Sequence, residues 1–200
     1  MEAIRDVEEL ESLYGLPSAG ALAKVKTELT PLYRKWVEAS RFLILTTVGP
    51  EGTDASPRGD VEPVVRVVDG RTLWLPDWRG NNRADSLKNI VRDGRVSLMF
   101  MVPGSNNVVR INGNAILTAD ENVTGSFEQN GKHPRSVIVV SIGEVYFQCA
   151  KALMRSRLWI SGDESDGLPT AGQFLKEIDD SLDADQYDAD YPEYAKERMW

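Results

Sequence analysis

The sequence predicts a mainly β protein with flanking helices, an α+β class in which the strands form an antiparallel barrel. Between residues 42 and 148, apolar and β-branched runs recur and are separated by short turns rich in Gly, Pro, Asn and Asp. One long run is interrupted by Asn-Gly-Asn at 112–114, which is typical of the bulge or sharp bend that a barrel needs. The segments on either side of this region carry helix signals instead.

Length and composition indicate one domain of an ordinary globular protein. The chain has 200 residues, of which 42% are hydrophobic and 27% are charged. We expect a helical cap over 1–40, the barrel with its binding site over 41–160, and an acidic helix and tail over 161–200. No apolar run is long enough to span a bilayer, and the N-terminus lacks the apolar core of a signal peptide. A cytoplasmic location is therefore expected.

The helical cap is predicted from its capping residues. A first helix is expected over 2–14, and a second over 19–29 follows Ser18, a residue type that is preferred at the N-cap. Pro31 suits the first position of a third helix.

The barrel is expected to contain six or so strands. The runs that predict them lie at 42–48, 54–56, 61–68, 72–76, 95–102, 108–118 and 136–148. One helix over 85–92 crosses between the strands, and a short helix is expected over 121–129. After the last strand, a further helix is predicted over 169–182 from its apolar face.

The net charge of −8 is concentrated in the last part of the chain. Residues 161–200 contain twelve acidic and three basic residues, whereas residues 1–160 contain nineteen acidic and twenty basic residues. The barrel is therefore close to neutral and has no basic patch that would favour nucleic acid. The acidic tail also carries three tyrosines and Trp200, so part of it is expected to pack on the body or on a partner subunit.

Several common chemistries are excluded by missing residues. Cys149 is the single cysteine, which rules out an internal disulfide and a zinc site built from cysteines, and no metal site is expected. We expect Cys149 to be a small buried hydrophobe and His133, the single histidine, to be exposed in a loop. The nucleophile elbow, the Walker loop, HExxH and the Rossmann glycine pattern are all absent.

The stretch from 56 to 86 carries the strongest functional signal. It contains SPRGD (56–60), two strand-like runs, and the loop DWRGNNRADS (77–86), which opens the predicted helix. A helix N-terminus offers free N–H groups and the positive end of the helix dipole to an anion. We expect a phosphate to be held there by Asn81, Asn82, Arg83 and Ser86, with Arg58 nearby. The alternatives are that Arg83 pairs with Asp85 or Asp77, that the asparagines only form turns, and that Arg58 pairs with Asp60.

Three separated segments give the chain a resemblance to a known family. They are SPRGD at 56–60, RGNNRADSL at 79–87 and CAKALMRSRLW at 149–159. With these segments in this order, the chain resembles the pyridoxamine 5′-phosphate oxidase-like, FMN-binding split-barrel proteins. It is most similar to a bacterial branch marked by such segments, and the similarity covers about residues 5–182.

The resemblance implies a six-stranded split barrel, a homodimer, and FMN bound at the subunit interface. It implies that the flavin lies along the first hairpin and beside the end of the next one, while the loop after it takes the phosphate. The partner subunit is expected to contribute later segments. The cofactor-binding residues expected on this basis are Ser56, Pro57, Arg58, Gly59, Leu75, Pro76, Asn81, Asn82, Arg83, Ser86, Arg110, Lys151, Arg155 and Trp159.

The last four of these residues have alternatives of their own. Reduced FMN is negative near N1 and O2, and Arg58, Arg110, Lys151 or Arg155 can supply the nearby cation. Arg110 can instead be an outward-facing strand residue, while Lys151 and Arg155, four residues apart, can form a solvated basic face. Trp159 is a candidate for the flavin edge.

The sequence departs from the true oxidase in two segments. SPRGD takes the place of the Arg-apolar-Lys pattern along the flavin, and the Arg-x-His near the C-terminus is absent. We therefore expect an FMN-dependent oxidoreductase that acts on an unknown small molecule or reduced nicotinamide, and not a true pyridoxamine 5′-phosphate oxidase. No catalytic residue is assigned. The alternative is a protein of the same fold that binds flavin, haem or a deazaflavin without turnover.

Overall fold

A computed structural model of the chain describes every residue except Glu2. Within the described residues, one antiparallel sheet contains seven strands in the spatial order β2-β1-β5-β6-β7-β4-β3. The strands are β1 (Phe42–Gly49), β2 (Gly52–Gly59), β3 (Arg66–Val67), β4 (Thr72–Asp77), β5 (Arg95–Met101), β6 (Val108–Thr118) and β7 (Ser136–Gln148). Mainly antiparallel strands with flanking helices were predicted, and this architecture is confirmed.

The predicted number of strands is wrong. A split barrel of six strands was expected, whereas the sheet has seven strands and is not closed, with β2 and β3 at its two edges. The predicted strand over 61–68 is reduced to the two residues of β3, because the chain before it buries Val64 and Val65 outside the ladder. Pro57, which cannot donate a ladder hydrogen bond, lies in the edge strand β2.

The core lies on the face of the sheet that alternate strand residues share. Leu43, Leu45, Leu98, Phe100 and Ile111 are fully buried there, as the period of two in a strand requires. Two helices cover this face. Val37 and Ile90, both buried, are the residues that these helices contribute to the core.

The helices are α1 (Val7–Tyr14), α2 (Ala19–Ala23), α3 (Pro31–Ala39), α4 (Asp85–Arg92), α5 (Glu121–Thr124), α6 (Lys151–Ser156), α7 (Ala171–Ile178) and α8 (Ala184–Arg198). The second helix ends six residues earlier than predicted, because Lys26 pairs with Val145 of β7 through two backbone hydrogen bonds of 2.9 and 2.7 Å. The expected tail contains the 15-residue helix α8, which Asp183 caps. Among the described residues, no helix combines the length and the apolar composition needed to cross a membrane.

The predicted irregularity at 112–114 is confirmed as a register shift between β6 and β7. The shift falls between Asn112 and Gly113. A Cβ atom added to Gly113 would overlap the carbonyl oxygen of Ser141, so only glycine fits at this point of the strand. The Asn112 amide donates to the Glu144 carboxylate at 2.7 Å beside the bulge.

Candidate functional site

A cleft of about 1070 Å³ lies where the N-terminus of α4 meets strands β2 and β4. It is lined by Asp54, Ser56, Pro57 and Arg58 of β2, by residues 77–87 and 132–136, and by Trp200. A second cavity of about 460 Å³ adjoins it and shares Pro57, Arg58 and Trp78 with it. The second cavity also contains Val64, Leu75 and Pro76, which make it the more apolar of the two.

Four side chains at the cleft are joined by hydrogen bonds, those of Arg58, Ser56, Ser86 and Asp54. The Ser86 hydroxyl, which is 4% exposed, donates to Oδ2 of Asp54 at 2.6 Å and lies 3.1 Å from the Ser56 hydroxyl. Nε of Arg58 donates to the Ser56 hydroxyl at 3.2 Å. Asp54, Ser56 and Arg58 share one side of β2 because they alternate along the strand.

Arg58 makes its ion pair with Asp77, at 2.5 Å, and both side chains are about one-fifth exposed. The pair with Asp60 that the sequence left open is therefore not formed. Asp60 instead accepts hydrogen bonds from the indole N–H of Trp78 at 2.8 Å and from the Gln129 amide at 3.2 Å. Arg58 is thus held at the end of β4, between the two cavities.

The first turn of α4 has no side-chain cap. Ala84, at the N-cap, is in the left-handed conformation with φ 56° and makes no capping hydrogen bond. Asn82, two residues earlier, also has a positive φ of 61°. Without a cap, the first N–H groups of α4 are left to a partner outside the helix, and the residues that carry them line the cleft. Such a terminus has the geometry of an anion site.

Asn81 and Arg83 form the turn and the ion pair that the sequence left open as the alternatives to phosphate binding. The Asn81 side chain accepts from the backbone N–H of Arg83 at 3.0 Å, which makes a turn. Nε of Arg83 donates to the Asp85 carboxylate at 2.8 Å, and both side chains are exposed, at 75% and 43%. Both residues nevertheless line the cleft.

The cleft is positively charged in a protein whose net charge is −8. It is lined by five basic side chains, of Arg58, Arg79, Arg83, Lys132 and Arg135, and by three carboxylates, of Asp54, Asp77 and Asp85. Among the described residues, no carboxylate lies within 4.0 Å of the charged groups of Arg79, Lys132 or Arg135. This balance favours an anionic ligand.

The sequence did not indicate the contribution of residues 132–135. Lys132, His133 and Arg135 precede β7, and they reach the cleft because Ser136 pairs with Asp77 at the end of β4. His133 is exposed, as expected, but it lies at the cleft and its Nδ1 is 2.5 Å from the carbonyl oxygen of Phe127. Only the pairing of β4 with β7 could have located this loop at the cleft. These strands are far apart in the sequence, so no local pattern indicates that they pair.

Of the fourteen predicted cofactor residues, ten line the two adjoining cavities. They include Gly59, Leu75 and Pro76, which line the smaller cavity. The other four do not line either cavity of the same chain.

These four residues lie on other surfaces. Arg110 lies on β6 over the ring of Tyr146, with 5.4 Å between its guanidinium carbon and the ring centroid. Lys151 and Arg155 are exposed on α6. The Trp159 indole N–H donates to the carbonyl oxygen of Ser105 at 2.7 Å.

Cys149 is exposed and is not the buried hydrophobe that was expected. The pKa of its thiol is lowered, chiefly because the backbone N–H of Lys151 donates to the sulfur, with smaller contributions from Gln148 and from the charges of Lys151 and Lys24. In the part of the chain that the structure describes, no three His, Cys, Asp or Glu residues are grouped so that they could hold a metal ion.

An antiparallel sheet with a polar cleft at its edge and flanking helices matches the split-barrel fold. The chain belongs to the pyridoxamine 5′-phosphate oxidase family, whose sequence model matches residues 29–149. No curated protein matches the chain.

Solved structures resemble the chain at low sequence identity. A single-substitution variant of HupZ from Group A Streptococcus is 14% identical, with a TM-score of 0.50, over 60% of this chain and 98% of that one. A protein described as a putative pyridoxamine 5′-phosphate oxidase from Lactobacillus delbrueckii is 21% identical, with a TM-score of 0.49, over 60% of this chain and 95% of that one. At these identities the likeness concerns the fold alone.

Proposed function

We propose that the protein binds FMN and acts as an oxidoreductase on a small organic molecule or reduced nicotinamide. The observation that carries the proposal is the uncapped N-terminus of α4, which holds the buried Ser86 hydroxyl and opens into a positively charged cleft. The apolar cavity that adjoins this cleft suits a flat ring, so the two together suit a ring joined to a phosphate.

The phosphate is held by Ser86, Asn82, Arg83 and the free N–H groups of α4 in this proposal. Arg83 must then exchange its bond with Asp85 for one with the phosphate. An exposed ion pair contributes only about 0–1 kcal/mol, whereas a hydrogen bond to a charged group is worth about 1.5–3 kcal/mol. The exchange is therefore favourable, and the ion pair seen without ligand is compatible with a role in phosphate binding.

The ring occupies the smaller cavity, against Pro57, Leu75 and Pro76. Arg58 and Arg79 are cations of this chain that line both cavities, and Arg58 is fixed there by Asp77. When bound, FMN supplies hydride and electron transfer, and the protein needs no dedicated base for that chemistry. The residues of this chain bind the phosphate, exclude water from the apolar side and hold a positive charge beside the ring.

We further propose a homodimer in which Arg110, Lys151, Arg155 and Trp159 complete the partner's site. This role is supported by their positions outside the cleft of their own chain. The face of the sheet opposite the core presents Phe42, Ile44, Met99 and Tyr146 around Arg110, and Phe42 is 37% exposed. A partly apolar sheet face of this kind is suited to burial against a second copy.

The dimer has a direct test by subunit mixing. If Arg110 acts on the partner's flavin, S86A and R110A subunits will each lose affinity for FMN, and mixed dimers will regain one intact site. If Arg110 acts within its own chain, each site of the mixed dimer keeps one defect and no affinity returns. Size-exclusion chromatography of the wild type gives the oligomeric state independently.

A binding protein without turnover is the second candidate. His133 favours it, since its ring lies at the cleft and its Nδ1 contacts the Phe127 carbonyl oxygen, which leaves Nε2 free to bind a haem iron if Nδ1 carries the proton. A haem-loaded protein whose Soret band is unchanged in H133A would remove His133 as the iron ligand. A deazaflavin remains a further alternative, because it also joins a flat ring to a phosphate.

The proposed function is tested by mixing the purified protein with FMN, desalting it and recording its absorption. We expect flavin bands to co-elute with the protein, S86A to lose most of the bound flavin, and S12A to keep it. Ser12 is the matched control, because its hydroxyl contacts only the backbone of α1. Reduction of the bound flavin by NADH or NADPH without oxygen, followed by reoxidation by a small acceptor, separates the enzyme from the binding protein.

A further inference from the structure

Trp200 lies at the junction of the two cavities and lines both of them. It follows the end of α8 by two residues and is half-buried. Its ring meets that of Trp78 edge to face, with 5.4 Å between centroids and 81° between planes. A ligand that extends from the N-terminus of α4 into the apolar cavity would therefore lie beside residues that line both cavities, and Trp200 is one of them.

Trp78 is the fixed member of this aromatic pair. Its indole N–H donates to Asp60 at 2.8 Å. Asp60 is itself held by the backbone N–H of Val61 at 2.7 Å and by the Gln129 amide at 3.2 Å. Asp60 therefore fixes the orientation of one wall of the cavity.

The segment that carries Trp200 is anchored near the cleft. Nζ of Lys132, at the cleft, donates to the carbonyl oxygen of Glu197 in the last turn of α8 at 3.3 Å. At the other end of the helix, α8 packs on α7, where the backbone N–H of Gly172 donates to Asp188 at 2.8 Å. The position of Trp200 thus depends on contacts at both ends of α8.

The apolar cavity is lined by two separate stretches of the chain. Every residue that lines it lies between 57 and 80, apart from Met199 and Trp200. A ligand ring that packs one face on Pro57, Leu75 and Pro76 needs cover for its other face, because small-molecule sites bury most of the ligand surface. Met199 and Trp200, which follow α8, are lining residues that can provide this cover.

We infer that Trp200 is a ligand-binding residue, which covers the open side of the ring and makes the site select a planar aromatic group joined to a phosphate. The inference rests on the proposed function and names the residue that gives it ring specificity. Trp200 moves from the edge of Trp78 onto the ligand, and α8 does not have to unfold for this, because Trp200 lies beyond its last helical residue.

The test compares FMN with ribitol 5-phosphate, which carries the same phosphate chain without the ring. Dissociation constants are measured by calorimetry for the wild type, W200A, W200F and Y191A. Tyr191 is the matched control, since it is an exposed aromatic residue of α8 that stacks on Tyr187 and lines neither cavity. We expect W200A to weaken FMN binding about tenfold, because one aromatic contact and the burial that it provides are lost. Ribitol 5-phosphate binding should be unchanged, and W200F should retain most of the affinity for FMN.

Each other outcome overturns the inference. Unchanged FMN affinity in W200A means that the ring does not contact Trp200, and tighter binding means that Trp200 obstructs the cavity. Equal weakening of both ligands means that the segment only supports the fold. A wild type that binds no FMN removes the proposed function together with this inference, whereas a wild type that binds FMN and matches W200A removes the inference alone.

Discussion

Ser86 donates its hydroxyl proton to Asp54 at 2.6 Å, in the first turn of a helix that has no side-chain cap. A serine hydroxyl has one proton, so this bond competes with any phosphate that Ser86 would hold. The Asp54 carboxylate also places a negative charge beside the proposed phosphate position. The same pair that orders Ser86 therefore limits the affinity of the site for anions.

Replacing Asp54 with Asn is expected to tighten FMN binding about tenfold, because a like charge is removed beside the phosphate. The measurement is the dissociation constant for FMN by fluorescence titration at low and moderate salt, and the gain should shrink as salt rises. D166N, in an exposed loop away from the cleft, is the control. Weaker binding by D54N would show that Asp54 serves the site by orienting Ser86.

Replacing Arg83 with Ala is expected to weaken FMN binding at least tenfold and to leave the thermal midpoint nearly unchanged. The reason is that its pair with Asp85 is exposed and contributes about 0–1 kcal/mol to stability, while a bond to a dianionic phosphate is stronger. R92A is the control, because Arg92 lies at the other end of α4 and pairs with Glu51. Retention of FMN at wild-type affinity by R83A would remove Arg83 from the phosphate site.

The central strands could be predicted from the sequence because their signal is local. The runs at 42–48, 95–102, 108–118 and 136–148 differ by at most one residue at either end from β1, β5, β6 and β7. Each alternates between core and outer face, which is the pattern that burial imposes on a strand. The edges were harder, since an edge strand is paired on one side and its length depends on its neighbour.

The helix α8 was not predicted because its pattern is weak. Its exposed face carries the tyrosines Tyr187, Tyr191 and Tyr194, with ring centroids 5.7 and 6.5 Å apart, in place of aliphatic residues. Pro192 lies inside the helix, and proline disfavours a helix interior. The contact of α8 with α7, where the backbone N–H of Gly172 donates to Asp188, is tertiary and therefore invisible in a local window.

The site was predictable where its residues are neighbours in sequence and not where strand pairing assembles it. Residues 56–59 were predicted from the SPRGD motif, and residues 81–86 were predicted from the loop that leads into α4. The partner of Arg58 is Asp77, nineteen residues away, instead of the nearby Asp60. Lys132, Arg135 and Trp200 reach the cleft only through the pairing of β4 with β7 and the packing of α8.

Replacing Gly113 with Ala is expected to destabilise the protein by about 3 kcal/mol, the upper part of the range for overpacking. The added Cβ would overlap the Ser141 carbonyl oxygen, and backbone atoms of β7 cannot move aside without breaking the ladder. Urea denaturation gives the free energy of unfolding. G20A is the control, and it should raise the free energy of unfolding slightly. Gly20 lies in α2 with no atom within 4 Å of an added Cβ, and Ala favours the helix over Gly.

The end of α4 gives the protein an acid-sensitive contact. Arg95 donates side-chain and backbone hydrogen bonds to Asp93, which lowers the pKa of that carboxyl from 3.8 to about 2. The folded pKa lies below the unfolded one, so the stabilisation is complete above about pH 4 and is lost as the pH falls towards 2. We expect D93N to have a lower urea midpoint than the wild type at pH 7 and the two midpoints to converge between pH 4 and pH 2. A difference that stays constant over this range would mean that the effect of D93N comes from lost backbone capping at the end of α4 and not from the charge of Asp93.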